Sequence, residues 1–250
     1  MSIGKTVLKG TLILCLASTH ATSQGVAAWA YEGVNGPEHW GDLSPEYSAC
    51  KSGKEQSPID IRRAESANLP PIRFDYRSVP LKIINNGHTV QVNYAPGSLI
   101  AVGEDHYELR QFHFHRPSEG RIDGRRSDMV IHLVHTDALG KLAVVSILLQ
   151  KGSANATIQM IWSAIPKTAS PEHEIPGVQI NASDFLPSNA AYYSYQGSLT
   201  TPPCTEGVTW LILKDPAAIS AKQIRAFAAM FPPNARPIQP LGARTIWQSQ

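Results

Sequence analysis

Gln111-Phe112-His113-Phe114-His115 is the stretch from which the rest of the chain can be read. Successive side chains on a β-strand point to opposite faces, so His113 and His115 share one face and Phe112 and Phe114 the other. The phenyl rings can enter a core while the two imidazoles converge on one point. A second segment of strand length, residues 129–135, carries His132, with Val130 and Val134 on its face. The residues between the two segments are rich in Gly, Pro, Arg and Asp and suffice to connect antiparallel neighbours. Three neutral imidazoles from two adjacent strands make a facial metal site. Zinc bound by three protein ligands keeps a fourth tetrahedral position for water, which separates catalytic from structural zinc.

Taken singly, each of these histidines reads as a hydrogen-bonded core or surface residue; the metal reading needs all three on their two strands. His39, His106, His135 and His173 read as structural or surface residues, and His135 lies on the opposite face of its strand from His132. His173-Glu174-Ile175-Pro176 is no zinc-protease helix, since it lacks the second histidine and contains a proline. Ser48 and Lys51 match S-x-x-K by chance, without companion motifs, and no G-x-S-x-G, P-loop or dinucleotide fingerprint occurs. Asn155 and Asn181 begin glycosylation sequons, which matter only in a eukaryotic host.

Outward from the histidines, residues 81–84, 89–94, 110–115, 129–135, 142–149 and 208–213 alternate with period two or run apolar over strand lengths. Two helices are readable. Ile158, Ile161, Trp162 and Ile165 fall on one helical face that stops at Pro166. Ser220 and Gln223 form a capping-box pattern before the stripe Ile224, Phe227, Ala228 and Phe231, which ends at Pro232-Pro233. With 18 glycines and 19 prolines as punctuation and no βαβ rhythm, the chain reads as mainly β. A single domain is expected, built on a large, mostly antiparallel twisted central sheet with short peripheral helices.

The chain of 250 residues, 42% of them hydrophobic, can bury a sizeable core. Lys5 and Lys9, the apolar run Leu12 to Ala17 and the small residues after it read as a secretory signal over residues 1–22, leaving 23–250 as the mature domain. Without Lys5 and Lys9 the 22 basic residues become 20, against 20 acidic ones, and no basic stripe occurs, so nucleic-acid binding is not expected. No later segment reaches the roughly 18 apolar residues of a membrane span. The product is expected outside the cytoplasm, periplasmic or secreted. Removal of the leader removes Cys15 and leaves Cys50 and Cys204, an even pair that suggests one disulfide in an oxidising compartment, with two unconnected buried thiols as the alternative.

The chain resembles the α-carbonic anhydrases from Trp29 to about Trp247. The stretches that carry the resemblance are Trp29-Ala30-Tyr31, Asn35-Gly36-Pro37-Glu38-His39-Trp40, Gln56-Ser57-Pro58-Ile59-Asp60-Ile61, Asn85-Asn86-Gly87-His88 and Gln111 to His115. They continue with Pro117-Ser118-Glu119, His132-Leu133-Val134-His135, residues 197–203 (GSLTTPP) and Asn234-Ala235-Arg236-Pro237. The resemblance implies Zn2+ on His113, His115 and His132, with zinc-bound hydroxide attacking CO2 to give bicarbonate and a proton. It implies that Thr200 accepts a hydrogen bond from the hydroxide and donates its own to Glu119. Val134, Val144, Leu199, Thr201, Val208 and Trp210 are implied to contact substrate, and His88 to shuttle the proton, as an imidazole with an ordinary pKa near 6.5 can. Tyr31, Gln111 and Asn234 are implied to support these groups, with Gln111 and the Asn234 carbonyl orienting His113 and His115. Cys50 and Cys204 fall where many exported members carry a bridge.

Two positions depart from the pattern. Relatives usually carry a glutamate two residues before the third zinc ligand, where this chain has Val130, and many carry a histidine where it has Gly120. Asp128 has the right strand parity but lies four residues from His132, about 13 Å along a strand, too far to serve in place of the glutamate without a bulge. Two other classes compete with a CO2 hydratase: a binding or scaffold protein on the same fold, which usually loses zinc histidines, and an ester hydrolase using the same hydroxide. The overall resemblance favours a bacterial periplasmic setting and allows a homodimer.

Overall fold

The computed structural model describes Met1 and residues 28–250. The leader expected over 1–22, Cys15 included, lies outside the described residues apart from Met1. Eight strands position the site: Val79–Asn85 (β1), Val90–Asn93 (β2), Asp105–His115 (β3), Met129–Thr136 (β4), Leu142–Lys151 (β5), Ser170–Ile180 (β6), Tyr192–Ser198 (β7) and Glu206–Leu213 (β8). They lie in a 13-stranded sheet in the order β6-β1-β2-β3-β4-β5-β8-β7, which short strands at Trp247–Gln248 and Glu65–Ser66 extend past β7. Neighbours along these eight run antiparallel except β5 and β8, which are parallel. A parallel pair needs a long crossover, and the chain supplies it by leaving β5, passing through a helix to β6 at the far edge and returning through β7. The mainly β architecture expected from the alternation is thus present, as a mostly antiparallel sheet with parallel exceptions.

All six stretches read as strands are strands, each as part of a longer or slightly trimmed element. The two helices are Ala156–Ala164 (α1) and Ala221–Met230 (α2). In α1 the Asn155 side chain accepts from Ile158 N at the N-terminus, and Ile158, Ile161 and Trp162 are buried. In α2 both halves of the Ser220–Gln223 capping box are formed, an arrangement typically worth about 1 kcal/mol.

Strand parity divides the sheet into two environments. Phe112 and Phe114 are fully buried on the face that the helices cover, with Phe114 edge-on to Trp162 at 4.7 Å and tilted against Phe227 at 6.4 Å. Burying each such ring contributes on the order of 1.5–3 kcal/mol. On the other face a smaller apolar cluster joins Val134, Val144, Val208 and Trp210 beside the histidines. His135 lies with the larger core, fully buried, its Nε2 2.9 Å from the Tyr76 hydroxyl. It is a structural residue, as its parity implied. Cys50 and Cys204 are joined, closing 154 residues of separation.

Candidate metal centre

The ladder between β3 and β4 pairs His113 directly with His132, and His115 with Val130. A register shift between Leu109 and Gln111 precedes the histidines and sets this alignment. One ring nitrogen from each of His113, His115 and His132 lies within 4.8 Å of the others. Ring centroids are 5.0 Å apart for His113 and His115, 5.5 Å for His113 and His132, and 4.8 Å for His115 and His132.

The outward hydrogen bonds decide which nitrogen faces inward. His113 Nδ1–H donates to Gln111 Oε1 at 2.9 Å and His115 Nδ1–H to the main-chain oxygen of Asn234 at 2.7 Å, so both present Nε2. His115 Nε2 lies 3.4 Å and His132 Nδ1 3.7 Å from the same oxygen of Glu119, Oε2, so His132 presents Nδ1. Burial, followed by the neighbouring imidazoles, holds His113 and His132 well below the ordinary histidine pKa. Neutral rings are the form a metal requires. His115 Nε2 and Glu119 Oε2 are buried without a hydrogen-bond partner. Orphaned buried polar atoms are rare, and a cation among the three rings would engage this lone pair and offset the buried carboxylate. The donor set therefore fits a divalent, nitrogen-binding metal.

Glu119 is fully buried. Its Oε1 accepts from the main-chain N–H of Arg236 at 3.0 Å. The Arg236 guanidinium is itself buried and donates to Gln56 Oε1, the Ser57 carbonyl and the Cys50 carbonyl, at 2.8, 2.8 and 3.1 Å. Sequence reasoning gave Arg236, Gln56 and Ser57 no role although it quoted the stretches that contain them. Nothing local distinguishes an arginine that will be buried from one that will be solvated.

Thr200 is buried on the 199–205 turn between β7 and β8. The turn is pinned by Leu199 N donating to Thr205 O, by Cys204 N donating to Thr201 O and by the disulfide to Cys50. Gly197 is required just before it, because a Cβ there would run into Ser57 Oγ and approach Trp210 to 2.9 Å. Among the described residues no hydrogen bond joins the Thr200 hydroxyl to Glu119, whose Oε2 turns instead toward His115 and His132. Val134, Val144, Leu199, Val208 and Trp210 fall in one apolar cluster, with Trp210 edge-on to His132 at 4.9 Å. Thr201 is half-buried on the same turn.

His88 stacks on Trp29 with 3.7 Å between centroids and a 10° interplanar angle. Burial lowers its pKa. Asn234 ties it to the metal ligands: the Asn234 side chain donates to the His88 and Phe114 carbonyls, each at 3.0 Å, while its own carbonyl receives His115. Tyr31 packs edge-on against Trp29 and Trp40, and burial followed by the charge of Glu119 raises its phenol well above the ordinary value. Trp29 entered the sequence reading only as the start of a resemblance, because stacking between residues 59 positions apart leaves no periodic trace. Asp128 does not reach His132; its Oδ2 accepts from Lys151 N at 2.8 Å.

Three convergent imidazoles beside a buried carboxylate and an apolar wall fit the ligand set of a three-histidine metal site. A family model for eukaryotic-type carbonic anhydrase matches residues 35–250. A carbonic anhydrase of Nostoc sp. is 43% identical over 249 residues, covering 98% of this chain and 94% of its own. Dioscorin dioA3 of Dioscorea japonica is 37% identical, covering 85% and 82%. The structure of the α-carbonic anhydrase of Thermovibrio ammonificans in complex with the inhibitor sulfanilamide superposes with a TM-score of 0.86 at 41% identity, over 90% of this chain and all of that one. The chain belongs to the eukaryotic-type, or α, carbonic anhydrase family and is an enzyme of that family.

Proposed function

We propose that this chain catalyses the reversible hydration of CO2 to bicarbonate and a proton, with zinc on His113, His115 and His132. The observation that carries the reading is the convergence of three imidazoles: outward hydrogen bonds turn His113 and His115 inward, and burial keeps His113 and His132 neutral. Zinc held there supplies a hydroxide nucleophile at neutral pH, chemistry for which carbonic anhydrases are the type case. The protein's own residues do the rest. The Thr200 hydroxyl accepts from the nucleophile and donates to Glu119, whose carboxylate Arg236 N holds in place. Oε2 has no other hydrogen bond and is free to receive Thr200. Val134, Val144, Leu199, Val208 and Trp210, with Thr201 at the turn, hold CO2 against an apolar surface that offers it no competing polar contact. Tyr31 packs beside this machinery within the field of Glu119. His88 takes the released proton and passes it to solvent. Its depressed pKa favours the release half of that task.

The protein is further inferred to be exported, periplasmic or secreted; the Cys50–Cys204 bridge supports an oxidising compartment. No helix among the described residues is long and apolar enough to cross a membrane.

Stopped-flow CO2 hydration measured beside zinc content tests the proposal. Activity should scale with bound zinc. His88→Ala should slow turnover while leaving zinc bound, and small imidazole buffers should restore the rate. Stoichiometric zinc without hydration would refute the CO2 reading, and a His88→Ala loss that no buffer restores would refute the shuttle.

A further inference from the structure

The connection from β3 to β4, residues 116–128, carries Arg116, Arg121, Arg125 and Arg126. Among the described residues none of these four has a carboxylate within ion-pair distance. The Nε atoms of Arg116, Arg121 and Arg126 are buried without a hydrogen-bond partner. A buried guanidinium nitrogen left unpaired is costly, and proteins pair such groups with carboxylates or other oxyanions. Asp60, which faces Arg121 across a short ladder, is already engaged by Arg62 at 2.7 Å and by Gly124 N at 2.9 Å.

Arg125 and Arg126 open onto a cleft of about 480 Å³, lined also by Ser127, Gln150, Lys214 and the exposed Asp123. Lys214 Nζ donates only to the neutral oxygens Gln248 Oε1 and Ser249 O, so its charge is not cancelled locally. The cleft lining thus gathers three cations against one exposed carboxylate; behind it Arg121 is close enough to repel Arg126, a repulsion that the buried Glu119 offsets in part. None of these residues belongs to the metal site.

We propose that this cleft is a binding site for a small inorganic oxyanion, bicarbonate or phosphate, held by Arg125 and Arg126 with Lys214 contributing charge. An oxyanion there would set negative charge beside the Arg126 guanidinium and lower the repulsion between Arg121 and Arg126. Planar guanidinium forks suit this class of ligand, because they grip two oxygens at once. A halide offers no such pair of acceptors.

Isothermal titration of the zinc-loaded protein with inorganic phosphate, at constant ionic strength, tests the site. Saturable binding is expected, weakened about tenfold or more by R126Q and by R125Q, since each removes charge-assisted hydrogen bonds. R73Q, an exposed arginine on the far strand Ile72–Asp75, should bind as the parent does. Arg125 is exposed, so R125Q decides the matter even if R126Q fails to fold. Phosphate bound equally well by both cleft variants would place it elsewhere, on the metal for instance, and overturn the proposal. An equal loss in R73Q would reduce it to bulk charge and overturn it too. Competition with bicarbonate at fixed pH tells the two sources apart: displacement at lower concentration than phosphate itself requires names bicarbonate as the occupant.

Discussion

The two strands that build the metal centre support their histidines unequally. On β3 each outer ring nitrogen ends on a protein oxygen, His113 on Gln111 and His115 on the Asn234 carbonyl. On β4 the outer nitrogen of His132 finds no acceptor among the described residues, and His132 borders a small hollow of about 30 Å³ lined also by Gly120, Ser146 and Tyr195 among others. The contrast comes from one position. The residue two before a strand histidine shares its face, and before His113 that residue is Gln111, whereas before His132 it is Val130. An acceptor on the outer nitrogen fixes tautomer and ring orientation, so one strand presents its ligands prepared and the other presents its ligand without a protein acceptor. The hollow is large enough for one water, and Ser146, the ladder partner of His132, gives such a water a second contact.

The largest effect should come from removing a prepared ligand. His115→Ala is expected to abolish stoichiometric zinc and reduce CO2 hydration to background, because two imidazoles cannot hold the metal against chelation. Metal analysis after dialysis, alongside hydration rates, checks this. Retention of full zinc and activity would mean that the ligand set is misassigned. A smaller effect follows from removing only the preparation. Gln111→Leu keeps all three ligands but deprives His113 of its acceptor, and should weaken zinc by about 10–100-fold. A competition titration with a chromophoric chelator reads it out. An unchanged affinity would mean that the asymmetry between the strands has no energetic content.

That asymmetry was half legible in the chain. Parity put His113 and His115 on one face, opposite Phe112 and Phe114, and separated His132 from His135, because a half-buried strand writes its two faces into alternate residues; reading residues 129–135 as the neighbouring strand then joined His132 to the pair. The departure at Val130 was legible from the resemblance, since relatives usually carry a glutamate there. The hollow beside His132 was not, since it depends on Gly120 and Tyr195, which come from other parts of the chain. Edge elements were missed for a related cause. β6 is mostly exposed and contains Pro171, Pro176 and Gly177, so it carries neither alternation nor an apolar run. β7 includes Gly197, placed for a close approach to Ser57 rather than for strand propensity. The parallel pairing of β5 with β8 leaves no local sign either.

The smallest expected effect lies on the unprepared strand. Val130→Glu would restore to β4 what Gln111 gives β3, an acceptor two residues before the ligand. Two terms oppose each other. A carboxylate reaching the outer nitrogen of His132 should slow zinc loss to a chelator by about tenfold, the lower end of what such a partner contributes. Against it stands burial. Val130 is 1% exposed and lies between His115 and Leu148 across its two ladders, so a glutamate there enters a tight, largely apolar site. Unless it is hydrogen-bonded, the group is destabilising. The sign of the two effects separates by metal state: with zinc bound the carboxylate has a partner, and without zinc it competes for a ring that has lost its reason to be fixed. The expected outcome is slower zinc release together with a lower melting temperature for the zinc-free variant than for the zinc-free parent. If Val130→Glu releases zinc at the parental rate and melts as the parent does, the missing acceptor was no deficit, and β4 is as well prepared without one as β3 is with its two.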